Sequence, residues 1–196
     1  MLKASRVSVL PVCFACLVPG SMRAQSDYAA PIMAGISNRG ENQRDPYVTA
    51  GDRAYLIGTQ DGDFPDLGGH VPGEMGGLWL HPIKLIDGFW ATIADEESGR
   101  KVALSKSAEF INHPHGNRFR YGLVLDSLEV ERFQFSPDGR PGVVVQYNFI
   151  NSAARPRKLS LRFSVKPDLL PVWFSDQMGI RDAADTVFWL ARKSLF

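Results

Sequence analysis

The 196-residue chain has only two cysteines, Cys13 and Cys16, and both fall within an N-terminal segment that reads as a removable leader. Once it is removed, no disulfide framework, thiolate nucleophile or cysteine zinc site can be built. A dominant charge is lacking too. The 22 Lys and Arg against 21 Asp and Glu leave a net charge of +1, so nothing electrostatic points to nucleic acid or to an anionic membrane. There is no internal repeat, no Gly-rich loop between a strand and a helix to cradle phosphate, and no Gly-x-Ser-x-Gly elbow. The longest apolar run, residues 7–18, falls short of the roughly 20 residues that cross a bilayer as a helix. No membrane span is expected, and no cofactor or metal is implied.

That short run follows Lys3 and Arg6 and is followed by Pro19, Gly20, Ser21 and, at the exit, Ala24 and Gln25. The order of basic start, apolar centre and small-residue exit is that of a secretory signal peptide over residues 1–25, which predicts an exported protein, periplasmic or extracellular. A lipid anchor on Cys16 is the competing reading, but Cys13-Phe14-Ala15 matches the usual lipoprotein leader poorly. Residues 26–46 are mostly small and polar and read as a flexible lead-in. About 170 residues follow the leader, and residues 47–196 are enough for one domain with its own core.

From Tyr47 onward the apolar residues recur with a period of two. Leu159, Leu161, Phe163 and Val165 alternate with Ser160, Arg162 and Ser164, which predicts a strand with one buried and one wet face. Residues 143–149 and 128–135 are two further strand candidates. The second is closed by Ser136-Pro137-Asp138-Gly139-Arg140-Pro141, where Pro presets φ and Gly supplies the positive-φ position of a turn. The three segments read as a three-stranded meander. Shorter runs at 54–57, 89–93, 102–104, 109–112 and 119–125, separated by turn residues, complete the pattern of an all-β antiparallel sandwich. Helix is scarce. Residues 181–194 are the best candidate, yet Thr186 to Leu190 within them suits a strand equally well. The chain stops at Leu195-Phe196, soon after this apolar run, which reads as a truncated product whose sandwich would lack strands at its C-terminal end.

The stretch at 51–90 organises the rest. It holds nine glycines and three prolines between apolar ends, a composition that excludes a long helix and predicts a long shaped loop. Phe64, Trp79 and Trp90 offer flat faces for a sugar ring, and Asp66, His70 and Glu74 offer hydrogen bonds to its hydroxyls. Trp79 and Trp90 can equally be core, above all Trp90, which lies in a strand candidate. Asp61, Asp63 and Asp66 resemble a calcium loop, but Pro65 takes a ligand position and Asp66 stands where the turn glycine belongs, so turn-capping aspartates are the better reading. Asp63, Asp66, Glu74 and Asp87 supply carboxylates of the kind glycoside hydrolysis needs, though their separations are not fixed by sequence. His113-Pro114-His115 lacks the further ligands of a zinc site and reads as a surface turn.

Together, Ala50-Gly51-Asp52-Arg53-Ala54-Tyr55-Leu56-Ile57-Gly58-Thr59-Gln60-Asp61-Gly62, Phe64-Pro65-Asp66-Leu67-Gly68, Gly73-Glu74-Met75-Gly76-Gly77-Leu78-Trp79 and His81-Pro82-Ile83-Lys84-Leu85 resemble the N-terminal part of secreted bacterial glycogen-debranching-type proteins. Glu131-Arg132-Phe133-Gln134-Phe135-Ser136-Pro137-Asp138-Gly139 and Val172-Trp173-Phe174-Ser175-Asp176 fit the same family. The resemblance implies a large, supersandwich-like β-sandwich. In full-length members it precedes an (α/α) six-hairpin barrel whose paired carboxylic acids hydrolyse glucosidic bonds. That barrel lies beyond what this sequence contains, so no catalytic residue carries over. The expected partners are an α-glucan oligo- or polysaccharide and the helical-barrel domain, with Phe64, Asp66, His70, Glu74 and Trp79 facing the sugar. A freestanding carbohydrate-binding module and a scaffold without ligand are the alternatives.

Overall fold

A computed structural model of the chain describes residues 35–40, 42–68, 73–171 and 185–186. The expected leader, His70 and all of the 181–194 candidate except residues 185–186 lie outside these. The described residues form strands β1 (Ile36–Asn38), β2 (Pro46–Ala50), β3 (Tyr55–Thr59), β4 (Gly77–Leu80), β5 (Ile83–Asp95) and β6 (Lys101–Ala103), then β7 (Glu109–His113), β8 (Gly116–Leu125), β9 (Leu128–Phe135), β10 (Val144–Asn151) and β11 (Leu159–Pro171). No helix occurs among the described residues, and so none there is long and apolar enough to cross a membrane.

The strands make two antiparallel sheets packed as a sandwich. One has the order β1-β7-β8-β9-β10; the other runs β11-β5-β4-β3-β2, with β6 also paired to β5. The all-β antiparallel class expected from the period-two runs is the class observed. Alternation explains the packing: Leu128, Val130, Arg132 and Gln134 of β9 are buried, while Glu129, Glu131, Phe133 and Phe135 are not. The main cluster joins Phe119, Leu128 and Val130 from the first sheet to Tyr47, Ala91 and Ile93 from the second. Leu56, Phe64 and Phe89 form a second cluster towards the β3–β4 loop.

Three features differ from the sequence reading. First, β9 and β10 are neighbours, but β11 leaves that sheet and pairs with β5, Leu161 opposite Ile93 and Phe163 opposite Ala91. The meander is therefore β7-β8-β9-β10, and the connection after Asn151 crosses the sandwich. Alternation reports which face of a strand is buried and is silent about its neighbour. Second, the 51–90 stretch is not one loop. It contains β3, β4 and the start of β5, and among its described residues 51–54, 60–68, 73–76 and 81–82 lie outside strands. Third, β1 lies within the expected lead-in and pairs with β7, helped by Ser37 Oγ and Arg39 Nε, which donate to Glu109 Oε1 at 2.7 and 2.8 Å.

Candidate functional site: a charged cleft beside the β3–β4 loop

The start of the β3–β4 loop, residues 60–64, is fixed by its own side chains and by the sheets beneath it. A tight turn forms as Gly62 N–H donates to Thr59 O (2.7 Å) and Thr59 N–H donates to Asp63 O (3.0 Å). Asp61 Oδ1 accepts from Thr59 Oγ1 (2.6 Å) and from Asp63 N–H (3.2 Å); Asp63 Oδ1 accepts from Phe64 N–H (2.9 Å). Asp61 and Asp63 thus cap the turn through local bonds, as short polar side chains do. Asp63 Oδ1 also accepts from Trp90 Nε1 at 2.9 Å, tying the loop to β5. Phe64 then lies directly over Gly88: a Cβ added there would stand 2.5 Å from Phe64 Cβ and Cγ. Only glycine lets the ring approach the strand so closely.

Between this loop, β5 and the end of β11 opens a cleft of about 230 Å³, lined among others by Phe64, Pro65, Asp66, Asp87, Trp90 and Lys166. In its wall stands Lys84, whose side chain is 1% exposed, held by Asp87 Oδ1 at 2.6 Å and by Glu74 Oε2 and Asp168 Oδ2 at 2.7 Å. Lys166, at the rim, forms an ion pair with the other oxygen of Asp87.

Backbone irregularities bring these charges together. Residues 84 and 87 of an even strand would point to opposite faces. In β5 the register against β4 slips by one between Leu78 and Trp79, so that Leu78 faces Ile86 and Trp79 faces Lys84. The extra residue breaks the alternation, and Lys84 and Asp87 meet. In β11, Pro167 cannot donate to the ladder, and the pairing is irregular between Pro167 and Leu170. There Asp168 turns inward, 7% exposed, while Leu169 turns out. Glu74 arrives from the loop, where it makes a parallel bridge with Leu67.

The cluster separates its carboxyls electrostatically. Burial raises the Asp168 carboxyl, opposed by Lys84 and reinforced by Asp87, to about 6. Burial also acts on Asp87, but hydrogen bonds from Lys166 and Lys84 outweigh it and hold that carboxyl down at about 2. Burial disfavours the Lys84 ammonium, yet hydrogen bonds to Asp168, Asp87 and Glu74 prevail and keep its pKa above the ordinary value. One oxygen from each of Glu74, Asp87 and Asp168 lies within 4.8 Å of the others, a spacing that would suit a cation. The Lys84 ammonium, bonded to all three, fills that role.

The residues expected to face sugar are distributed unevenly. Phe64 and Asp66 line the cleft, although Phe64 is 7% exposed and packs on Phe89 at 4.8 Å between ring centres. Glu74 lies behind, spent on Lys84. Trp79 is 4% exposed, donates its Nε1 to Gly76 O at 3.2 Å and stacks parallel to Tyr55 at 6.1 Å, so a neighbouring ring covers one of its faces. The aromatic presented to the cleft is Trp90, half-buried in β5. Lys84, Asp168 and Lys166 went unmarked by sequence reasoning. Two signals were available: a lysine embedded in Ile83-Lys84-Leu85-Ile86, and a proline inside an alternating strand at Lys166-Pro167-Asp168. His113-Pro114-His115 forms the β7–β8 hairpin, with the two imidazoles 5.7 Å apart.

Compared with known proteins, the chain matches no family model, no curated protein and no solved structure.

Proposed function

We propose that this is an exported carbohydrate-binding β-sandwich of the glycogen-debranching type, and that the cleft beside the β3–β4 loop takes an α-glucan end or branch as one wall of a larger substrate groove. The observation that carries the reading is the composition of the cleft. The half-buried ring of Trp90 stands beside exposed Asp66 and Lys166 in a space of about 230 Å³. Sugar recognition asks for this combination, a flat apolar face for the ring and charged hydrogen-bonding groups for its hydroxyls. Both backbone irregularities that build the charged wall lie on strands, so Lys84, Asp87 and Lys166 are presented rigidly. Hydrolysis is assigned to a helical-barrel partner domain, with this chain shaping the cleft. Lys84 engages Glu74, Asp87 and Asp168 at once, which leaves them occupied in an ion cluster and unsuited to act as an acid and nucleophile pair.

The test is titration of the full chain with maltoheptaose, followed by the backbone amide NMR shifts of the cleft residues, with cellohexaose as the control. One wall of a groove supports weak binding, with a Kd of roughly 1 mM. Trp90→Ala and Asp66→Ala should each weaken it about tenfold or more. No maltoheptaose response at roughly ten times that concentration would sink the reading. An equal response to both sugars would remove the α-glucan assignment.

A further inference from the structure

We infer that Arg132, remote from the cleft and buried between the sheets, is the positioning residue that sets the Phe64–Trp90 wall, an inference resting on the reading of that wall as the sugar-facing surface.

Arg132 lies on β9 and is 1% exposed. Its guanidinium sits 3.9 Å from the centre of the Phe119 ring and 5.3 Å from that of Phe89. It thereby joins the main core cluster, which holds Phe119, to the second cluster, which holds Phe89 and Phe64. Among the described residues it forms no ion pair with a carboxylate. Instead Nη1 donates to Gly62 O at 3.2 Å, a buried contact at the apex of the β3–β4 turn. The turn is pressed against the guanidinium. Gly62 has φ +95°, and a Cβ added there would stand 3.0 Å from Tyr121 Oη and 3.3 Å from Arg132 Nη2.

Two routes lead from this contact to the cleft. Along the chain, Gly62 is followed by Asp63, which accepts from Trp90 Nε1, and by Phe64. Through space, Phe89 packs on Phe64 at 4.8 Å, and Phe64 meets Trp90 edge-on at 6.0 Å. Both end on the two rings that line the cleft. An apolar residue of similar size would fill the same space without burying a charge. What it could not do is place a cation over aromatic rings while directing an N–H at a backbone carbonyl, a combination that suits the guanidinium. Arg132 therefore fixes the height and orientation of the turn that carries Phe64 and holds Trp90.

Arg132→Met, Arg132→Lys and Gly62→Ala in the full chain test this by two readouts. The first, without ligand, is amide hydrogen exchange at Gly62 and Phe64 relative to the β8–β9 ladder, together with the Trp90 indole signal. The second is maltoheptaose titration. Arg132→Met should speed exchange at the two turn amides about tenfold more than in the ladder, shift the indole signal and weaken binding about tenfold. Arg132→Lys, which can still donate to Gly62 O, should recover part of each effect. Gly62→Ala leaves the guanidinium in place, displaces the turn and should reproduce the loosening, which keeps the test open if Arg132→Met does not fold. Turn amides that change no more than the ladder in either Arg132→Met or Gly62→Ala would overturn the positioning role. If the variants loosen the turn while the unaltered chain ignores maltoheptaose, positioning stands and the sugar reading falls. If the turn loosens and the affinity of a binding chain is unchanged, the inference fails.

Discussion

Among the described residues two cations are buried, Lys84 and Arg132, each 1% exposed, and they are accommodated in opposite ways. Lys84 is surrounded by charge, with three carboxylate oxygens within 2.7 Å. Arg132 is surrounded by rings, with Phe119 and Phe89 centred 3.9 and 5.3 Å from its guanidinium, and with the Gly62 carbonyl and the Tyr147 hydroxyl as hydrogen-bond partners. The side chains suit these surroundings: an ammonium is a compact point charge with three donors, while a guanidinium is flat and weakly hydrated. The consequence of losing each cation follows from what it leaves behind. Without Lys84, three carboxylates remain crowded in a partly buried site, where Lys166 pairs with Asp87. Without Arg132, no opposite charge is stranded.

The largest effect expected from this comparison is therefore at Lys84. Lys84→Met should destabilise the fold by about 3–5 kcal/mol near neutral pH, the range for breaking a buried ion cluster on one side. Part of that loss should return in acid, where the stranded carboxyls protonate. Urea unfolding at neutral and mildly acidic pH measures both, and a loss that does not shrink in acid would mean the carboxylates are not the cause.

Arg132→Met comes next, at about 1–3 kcal/mol, for the cation–π contacts and the unpaired Gly62 carbonyl. Because no acid partner is stranded, the loss should be the same at both pH values. A loss at Arg132 that equals or exceeds that at Lys84 would erase the distinction between the two cages.

A smaller effect, readable as a slope, comes from Asp168 and Glu109. The folded pKa of Asp168 is raised to about 6, so the native state binds more protons than the unfolded chain between roughly pH 4 and 6, and stability contributed there declines as pH rises. Asp168→Asn should remove that decline. Glu109 runs the other way. Hydrogen bonds from Arg39 and Ser37, with Arg120 adding to them, hold its carboxyl down at about 2. Its contribution is present above its ordinary pKa and is lost as pH falls through about 2, so Glu109→Gln should lower Tm at neutral pH, with the gap closing in strong acid. Thermal melts across pH check both signs.

An uncharged strand position calibrates these values. Leu161 is half-buried on β11, an edge strand, and Arg162 is exposed. Leu161→Asp should cost about 1–3 kcal/mol, less than at a fully enclosed site, because water can reach the new carboxylate. Arg162→Asp should stay within about 0.5 kcal/mol. Equal effects at the two positions would contradict the observed register.

The sequence by itself determined the class of the fold and much of its local form. Alternation over Leu159–Val165 and Leu128–Phe135, the Pro-Asp-Gly turn and the capping aspartates Asp61 and Asp63 are properties of a few consecutive residues. A local pattern of that kind survives whatever the rest of the chain does. Tertiary structure alone decided the remainder. It set β11 beside β5 instead of β10, turned Trp79 onto Tyr55 and left Trp90 at the cleft. It also brought Glu74, Asp87 and Asp168 to one ammonium across 94 residues of chain, from 74 to 168. The physical reason is range. Backbone period and turn chemistry act over a few residues, whereas a buried charge is stable only where distant segments supply its partners, and the path of the strands fixes which segments those are.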